Sequence, residues 1–403
     1  MKIKNISILP IFDSRGNSTI EVALATPAGH EFRAAAPAGK STGATEVVSL
    51  PFAAVRKNAP RVMRALRGRN FSTIRSLDKH LLAHDGTPNK KRLGGNFILG
   101  VSAAFARALA WERKQEVWQL LAREFFPKKG GLSKMVLPWV FSNVINGGQH
   151  AQNSLDIQEF MVVLKTRRPV ADSVSKLIEF YHGLGAVLGR ANGTRRLPIG
   201  DEGGYNLDFS DNFAPLRLLR RLIVSQKKQK LLVTAIDAAA TSFQAADGYR
   251  FGGRIVSREH LVALYARYAR SDKLLVSLED PFAENDRAGF GLLRSALPDR
   301  LIVADDLTTT SPKLIAAAAD ERLANAVIIK PNQIGSVSET CDAILTAKAK
   351  GFKTIISHRS GETEDNFLIC VARASNADGV KIGAPTKERL LKFNELIRLY
   401  GDD

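Results

Sequence analysis

Six short apolar, β-branched runs, each closed by a polar residue, dominate the C-terminal two-thirds of the chain: residues 231–237, 274–279, 301–305, 326–330, 354–358 and 379–381. Their ends lie 42, 26, 25, 28 and 23 residues apart, with helical signals between them. Ser257 precedes a helical pattern over 259–269, and Ser311 with Pro312 opens another over 313–322. A βα unit of an eight-fold barrel averages roughly 30 residues, because about 250 residues make eight of them. The pattern predicts a β/α barrel. A doubly wound open sheet would carry a glycine-rich dinucleotide fingerprint after an early strand, and none is present.

The N-terminal third reads differently. Residues 19–24 alternate, Pro27-Ala28-Gly29 turns and 31–36 returns, which predicts an antiparallel hairpin. In the loop that follows, Gly39-Lys40-Ser41 lacks the first glycine of a phosphate-binding loop, whose place Ala34 takes. Helical spacing then runs over 45–124, for instance at Ile74, Leu77 and Leu81 and at Ile98, Val101, Phe105 and Leu109. His80 and His84 stand one turn apart with no third ligand, so they read as solvent-facing. Pro127-Lys128-Lys129-Gly130-Gly131 marks the expected boundary between an α+β domain (1–130) and a barrel (131–403).

Composition narrows the function classes. No apolar run approaches a membrane span, and the first residues hold no signal-peptide core. Cys341 and Cys370 lie in helical patterns without metal-ligand spacing, as expected for reduced thiols in the cytoplasm. Lys plus Arg total 58 against 40 acidic residues, a net charge of +18 that favours an anionic partner. The basic clusters at 61–69, 90–92 and 217–230 have no interleaved aromatics, so nucleic acid is not expected as the main partner.

Residues at the C-terminal ends of barrel strands converge on one mouth, which brings Asp237, Glu279, Asp305, Lys330, His358 and Lys381 together. Like charges 4 Å apart repel by about 4 kcal/mol at an effective dielectric of about 20. Three converging carboxylates therefore call for a hard divalent cation, Mg²⁺, or for a salt-bridge ring with the two lysines. A neutral Lys330 or Lys381 could take a proton from carbon while the cation stabilises the resulting enolate. A departing hydroxyl needs a general acid, for which Glu202 in Gly200-Asp201-Glu202-Gly203-Gly204 and Glu159 are the candidates. His358, Arg359 and Ser360, at the mouth of a strand, form an anion grip, and Thr363 is positioned to cap the next helix.

These motifs reach a family. Asp13-Ser14-Arg15-Gly16-Asn17, Ser41-Thr42-Gly43, Asp85-Gly86-Thr87, Asn146-Gly147-Gly148, Gln158-Glu159-Phe160-Met161 and the Asp201-Glu202 loop come in one order. Glu279-Asp280-Pro281-Phe282, Ala304-Asp305-Asp306-Leu307, Lys330-Pro331-Asn332-Gln333-Ile334-Gly335 and the Ser357–Asp365 stretch continue it. With them the chain resembles enolase, the phosphopyruvate hydratase of glycolysis, over nearly its whole length. Enolase-superfamily sites are known to pair a Lys or His base with Mg²⁺ on an ene-diolate, and the resemblance implies that design here.

The resemblance implies an enolase-type barrel behind an N-terminal α+β domain, and two Mg²⁺ per site. Lys330 matches the base and Glu202 the acid, assisted by Glu159. Asp237, Glu279 and Asp305 match ligands of the first ion, and Ser41 the ligand of the second. Arg359 and Ser360 match the phosphate grip, while His150, Gln158, His358 and Lys381 match further substrate-site positions. The family forms dimers or octamers, and Glu21 and Arg398 match its intersubunit ion pair. Departures are Lys40, where the family usually has alanine, Ser18 for proline and Ile382 for threonine. A cation at position 40 would either supply part of the second ion's charge or compete with it. The other readings are a related dehydratase acting on another phospho-acid, and secondary binding of RNA or another polyanion.

Overall fold

The computed structural model describes residues 1–40, 43–127, 134–151 and 153–401. Three antiparallel strands open the chain: β1 (Asn5–Phe12), β2 (Ser18–Ala25) and β3 (Glu31–Ala35), in the order β1-β2-β3. The β2–β3 hairpin is the one its alternation predicts. Five helices follow: α1 (Phe52–Asn58), α2 (Pro60–Leu66), α3 (Ile74–Asp85), α4 (Gly95–Glu112) and α5 (Val117–Phe125). Thr73 starts α3 with a reciprocal capping box to Ser76. Helix α4 is apolar nearly all round and is buried against β2 and β3. Gly100 permits that approach, since a Cβ there would meet Val22 Cγ2 at 2.6 Å.

The barrel strands are β4 (Trp139–Asn146), β5 (Glu159–Leu164) and β6 (Leu232–Asp237), with α6 (Val170–Ala191) and α7 (Ala214–Ser225) between β5 and β6. A small antiparallel sheet of β7 (Gln244–Ala245), β8 (Gly248–Phe251) and β9 (Arg254–Val256) precedes α8 (Arg258–Ser271). Then β10 (Leu275–Glu279), α9 (Arg287–Ala296), β11 (Leu301–Ala304), α10 (Pro312–Asp320) and β12 (Ala326–Ile329) alternate. The chain closes with α11 (Pro331–Ile334), α12 (Val337–Ala349), β13 (Lys353–Ser357), α13 (Phe367–Ser375), β14 (Gly379–Ile382) and α14 (Leu390–Tyr400). Eight strands close in the order β10-β11-β12-β13-β14-β4-β5-β6. Ser257 and Ser311 cap α8 and α10 as their positions predict.

The barrel departs from a uniform βα repeat in one place. Strand β5 runs antiparallel to both β4 and β6, while the other neighbours are parallel. Its first residue, Glu159, therefore sits at the mouth, in register with Asp237 at the end of β6. Thr363 does not cap a helix: α13 starts at Phe367, whose N–H is taken by Asp365, and Thr363 Oγ1 accepts from Asp365 N–H. The boundary expected at 130/131 lies outside the described residues. No helix among the described residues is long and apolar enough to cross a membrane.

The N-terminal domain seats on the mouth. Arg107 of α4 makes a bidentate pair with Asp365 (2.7 and 2.8 Å), and Asp365 also accepts from Ala35 N–H. Ala38 bridges Gly361, and Lys90 reaches Glu339 at 3.0 Å. The Ala35 and Ala38 contacts fix the end of β3 and the loop that follows it against the strand ends.

Candidate active site

A polar cavity at the mouth is lined by Lys40, His150, Gln158, Glu159, Glu202, Asp237, Asp305, Lys330, His358, Arg359, Ser360 and Lys381, among others. The sequence-predicted side chains that fall on described residues thus converge, Glu279 joining them through Lys381. Ser41 lies outside the described residues.

Lys381, on β14, is the hub. Its Nζ lies 2.8 Å from Glu279, 2.9 Å from Asp237 and 3.2 Å from Glu159. Burial alone would push this ammonium down, but the three carboxylates outweigh it and hold Lys381 protonated. Lys330, at the end of β12, pairs with Asp305 Oδ2. Burial again works to lower its pKa, and Asp305 wins against burial and the charges of Arg359 and Lys381, so Lys330 is held charged. Thr310 steadies this corner by accepting from Lys330 N–H and donating to Gln333, which donates to Asp305 Oδ1 at 3.2 Å.

Across the cavity, Glu202 takes a hydrogen bond from Asn143 Nδ2 at 3.1 Å and faces His358 Nε2 at 3.5 Å. Arg389, wholly buried, meets His358 Nδ1 at 2.9 Å. A guanidinium only donates, so Nδ1 is the acceptor and the ring proton sits on Nε2, toward Glu202. Burial and Arg389 push His358 down to about 4, against the pull of Glu202, which leaves it neutral. Burial would raise Glu202, but His358, His150 and Arg389 outweigh it and hold it well below the usual carboxylate range.

Glu159 moves the other way. Burial and then the charge of Glu202 push it well above the usual range, against the counter-pull of Lys381. His150 Nδ1 stands between the two acids, 3.8 Å from Glu159 and 3.9 Å from Glu202. Two neighbouring carboxyls whose proton affinities are moved in opposite directions make a division of labour suited to acid–base work.

The anion grip is partly occupied from within. Arg359 is bonded to Glu46 at 3.0 and 3.2 Å and to Asn332 at 3.2 Å. Ser360 Oγ accepts from the Lys40 backbone N–H at 2.9 Å and from Arg15 at 3.4 Å. Glu46, Asn143 and Arg389 were not singled out by the sequence, and nothing in their local pattern marks them. Each comes from a segment far from the residue it serves.

The donor set suits a hard cation. Carboxylates at the mouth outnumber the lysines, and burial followed by mutual repulsion pushes up Glu279, Asp280 and Asp306, the last to about 7. Two compact donor groups occur among the described residues: His150 with Glu159 and Glu202, and Asp280 with Asp305 and Asp306. Asp305 belongs to the second, while Asp237 and Glu279 are drawn instead to Lys381. Asp280 serves the turn as well, accepting the N–H groups of Asp305 and Asp306. Gln158 Oε1 and His150 Nδ1 are buried without a hydrogen-bond partner among the described residues, as expected of groups awaiting a ligand. The Asp280, Asp305 and Asp306 group, all oxygen and under mutual repulsion, fits a hard cation such as Mg²⁺.

Comparison with known proteins agrees with this geometry. Residues 3–121 match the enolase N-terminal domain family, and residues 134–402 match the enolase C-terminal TIM barrel domain family. Enolase 3 of Lactobacillus johnsonii is 38% identical over 417 residues, spanning 98% of this chain and 94% of that protein. Enolase of Acidothermus cellulolyticus is 40% identical over 413 residues, with the same coverage. Matched in both halves and along nearly its full length, the chain belongs to the enolase family.

Proposed function

We propose that the chain catalyses the reversible, Mg²⁺-dependent dehydration of 2-phospho-D-glycerate to phosphoenolpyruvate, in glycolysis and gluconeogenesis. The observation that carries this reading is the meeting of Lys330, the Glu159–Glu202 pair and Arg359 with Ser360 around one polar cavity. Lys330 Nζ takes the proton from C2, and the electron pair left behind is delocalised into the substrate carboxylate. Glu202, supplied with a proton from the Glu159 side, protonates the C3 hydroxyl, which leaves as water while the C2–C3 double bond forms.

Asp237, Glu279, Asp305 and Ser41 would hold the cation, of which two per site are proposed. Bound there, Mg²⁺ supplies charge neutralisation at the acidic mouth and stabilises the enolate. Burial, Arg359 and Lys381 all favour the neutral amine on Lys330 once Asp305 is otherwise engaged. Arg359 and Ser360 bind the phosphate, while His150, Gln158, His358 and Lys381 orient the substrate. The grip favours a phospho-acid over a plain hydroxy-acid, and a related phospho-acid remains the alternative substrate.

The protein is proposed to work in the cytoplasm as a homodimer or octamer, with its domains dividing at 130/131. Glu21 pairs with its own chain's Arg33 and Arg398 with Glu395, at 2.9 Å each. Both are surface pairs that can exchange partners for a Glu21–Arg398 contact between copies.

Two variants test the mechanism. Lys330→Ala should lose both turnover and exchange of the C2 proton with solvent deuterium. Glu202→Gln should lose dehydration yet retain that exchange. Turnover in Lys330→Ala near the wild-type rate would sink the assigned base.

A further inference from the structure

The N-terminal domain carries a charge that the chemistry at the mouth does not use. Residues 1–125 hold 20 Lys and Arg against 9 Asp and Glu, a net +11 of the chain's +18. The excess is concentrated: residues 47–77 contain no acid, and seven cations. Helices α1 and α2 run on through Ala59, which keeps helical backbone angles. Val55, Ala59, Val62 and Leu66 are buried along one side. Lys57, Arg61 and Arg64, spaced by four and three, form a ridge on the other, and all are exposed. None of the three makes an ion pair among the described residues, and like charges at these spacings weaken a helix.

Beside the ridge opens a cleft of about 560 Å³, bordered by Arg61 and Arg92 and by His80 and His84 of α3. The two imidazoles, which the sequence suggested were solvent-facing, line this cleft with their rings 4.4 Å apart. None of these residues borders the cavity at the mouth. The cleft is wide enough for a phosphate group, and the ridge extends the positive surface beyond it.

We propose that the α1–α3 face binds the phosphate backbone of a nucleic-acid duplex, independently of base sequence and apart from turnover. Two absences select this partner. No large apolar side chain is exposed within residues 47–92, so among the described residues nothing there could insert into a bilayer. No exposed aromatic ring lies on the face either, so it offers no platform for stacking the bases of a single strand. What it offers is cations at helical spacing, which read backbone charge.

The test is fluorescence anisotropy of the full chain with duplex RNA and duplex DNA of about 16 base pairs across a salt series. At least one duplex should bind with a log–log salt slope of about −3 or steeper. Neutralising the ridge in Lys57→Gln/Arg61→Gln/Arg64→Gln should weaken binding at least tenfold and make the slope shallower by about 3, at about 0.9 per phosphate contact. The charge-keeping Lys57→Arg/Arg61→Lys/Arg64→Lys should restore both, and Arg64→Gln alone, safe for folding at an exposed site, should remove about one unit of slope. Several results would overturn the proposal: no salt-dependent binding to either duplex, equal binding by the neutralised variant, or a preference for phosphatidylserine vesicles. Loss of binding on changing instead Arg190, Arg195 and Arg196, which border a separate surface cleft on the barrel side, would do the same.

Discussion

Lys40 joins the two sides of the mouth to Asp201: its Nζ lies 3.4 Å from that carboxylate while its backbone N–H bonds Ser360 Oγ. Ser360 and the loop carrying Glu202 are thereby linked through one residue, by its backbone on one side and its side chain on the other.

Because both partners are partly exposed, the Lys40–Asp201 pair contributes about 1 kcal/mol or less. Lys40→Ala should therefore raise KM for 2-phosphoglycerate by no more than about fivefold, with a smaller effect on kcat. Steady-state kinetics across a Mg²⁺ titration would check this. A shift of the half-saturating Mg²⁺ concentration upward means that Lys40 supplies charge, and a shift downward means that it competes.

Arg389 donates to the backbone carbonyls of Arg359, Ser360 and Asp201 and meets His358 Nδ1. Arg389→Met would leave these buried acceptors unpaired, at about 1–3 kcal/mol each before relaxation. The expected loss is about 3–5 kcal/mol of stability, read from urea unfolding. Removing the cation should also raise the pKa of His358 from about 4 toward its ordinary value, measurable by NMR titration.

Asp78, buried between α3 and the start of α12, accepts from Ser338 N–H at 2.8 Å. Burial raises its pKa from 3.8 to about 6. Since the folded value lies above the unfolded one, the linked stability is fully present below about 4 and is lost as pH rises through about 6. Relative to wild type, Asp78→Asn should gain about 3 kcal/mol between pH 4 and pH 7, at about 1.4 kcal/mol per unit. Denaturant melts at both pH values would show it.

Removing divalent cations should abolish turnover and also lower Tm, because the mouth carboxylates then repel one another. Thermal melts with and without Mg²⁺ give a readout independent of catalysis. Glu279→Gln, with one charge fewer, should show a smaller Mg²⁺-dependent shift in Tm.

Much of the fold could be read because the relevant signals are local. Strands β6 and β10–β14 announce themselves as apolar runs closed by Asp237, Glu279, Asp305, Lys330, His358 and Lys381. The direction of β5 could not be read, because an apolar run looks the same whichever way the chain passes through the sheet. Glu159 was found through its motif, yet its place at the beginning of a strand needed the closed barrel. Arg389 and Glu46 were invisible for a related reason: each acts on a segment roughly 30 or 300 residues away, a pairing that only packing creates. Thr363 misled because a capping residue and a turn residue share the same chemistry.

The reversal of β5 governs where this barrel tolerates insertion or deletion. Strand β5 is joined to its neighbour β4 across the mouth, so the hairpin connection itself delivers His150 and Gln158 to the cavity. An all-parallel barrel would return from β4 through a helix on the outside, and the next strand would begin at the far end, so Glu159 at the start of β5 would lie away from the mouth. Trimming this connection would leave the strands free to pair as before, yet would take away part of the catalytic equipment. A length change here would yield a protein that folds, melts cooperatively and turns nothing over.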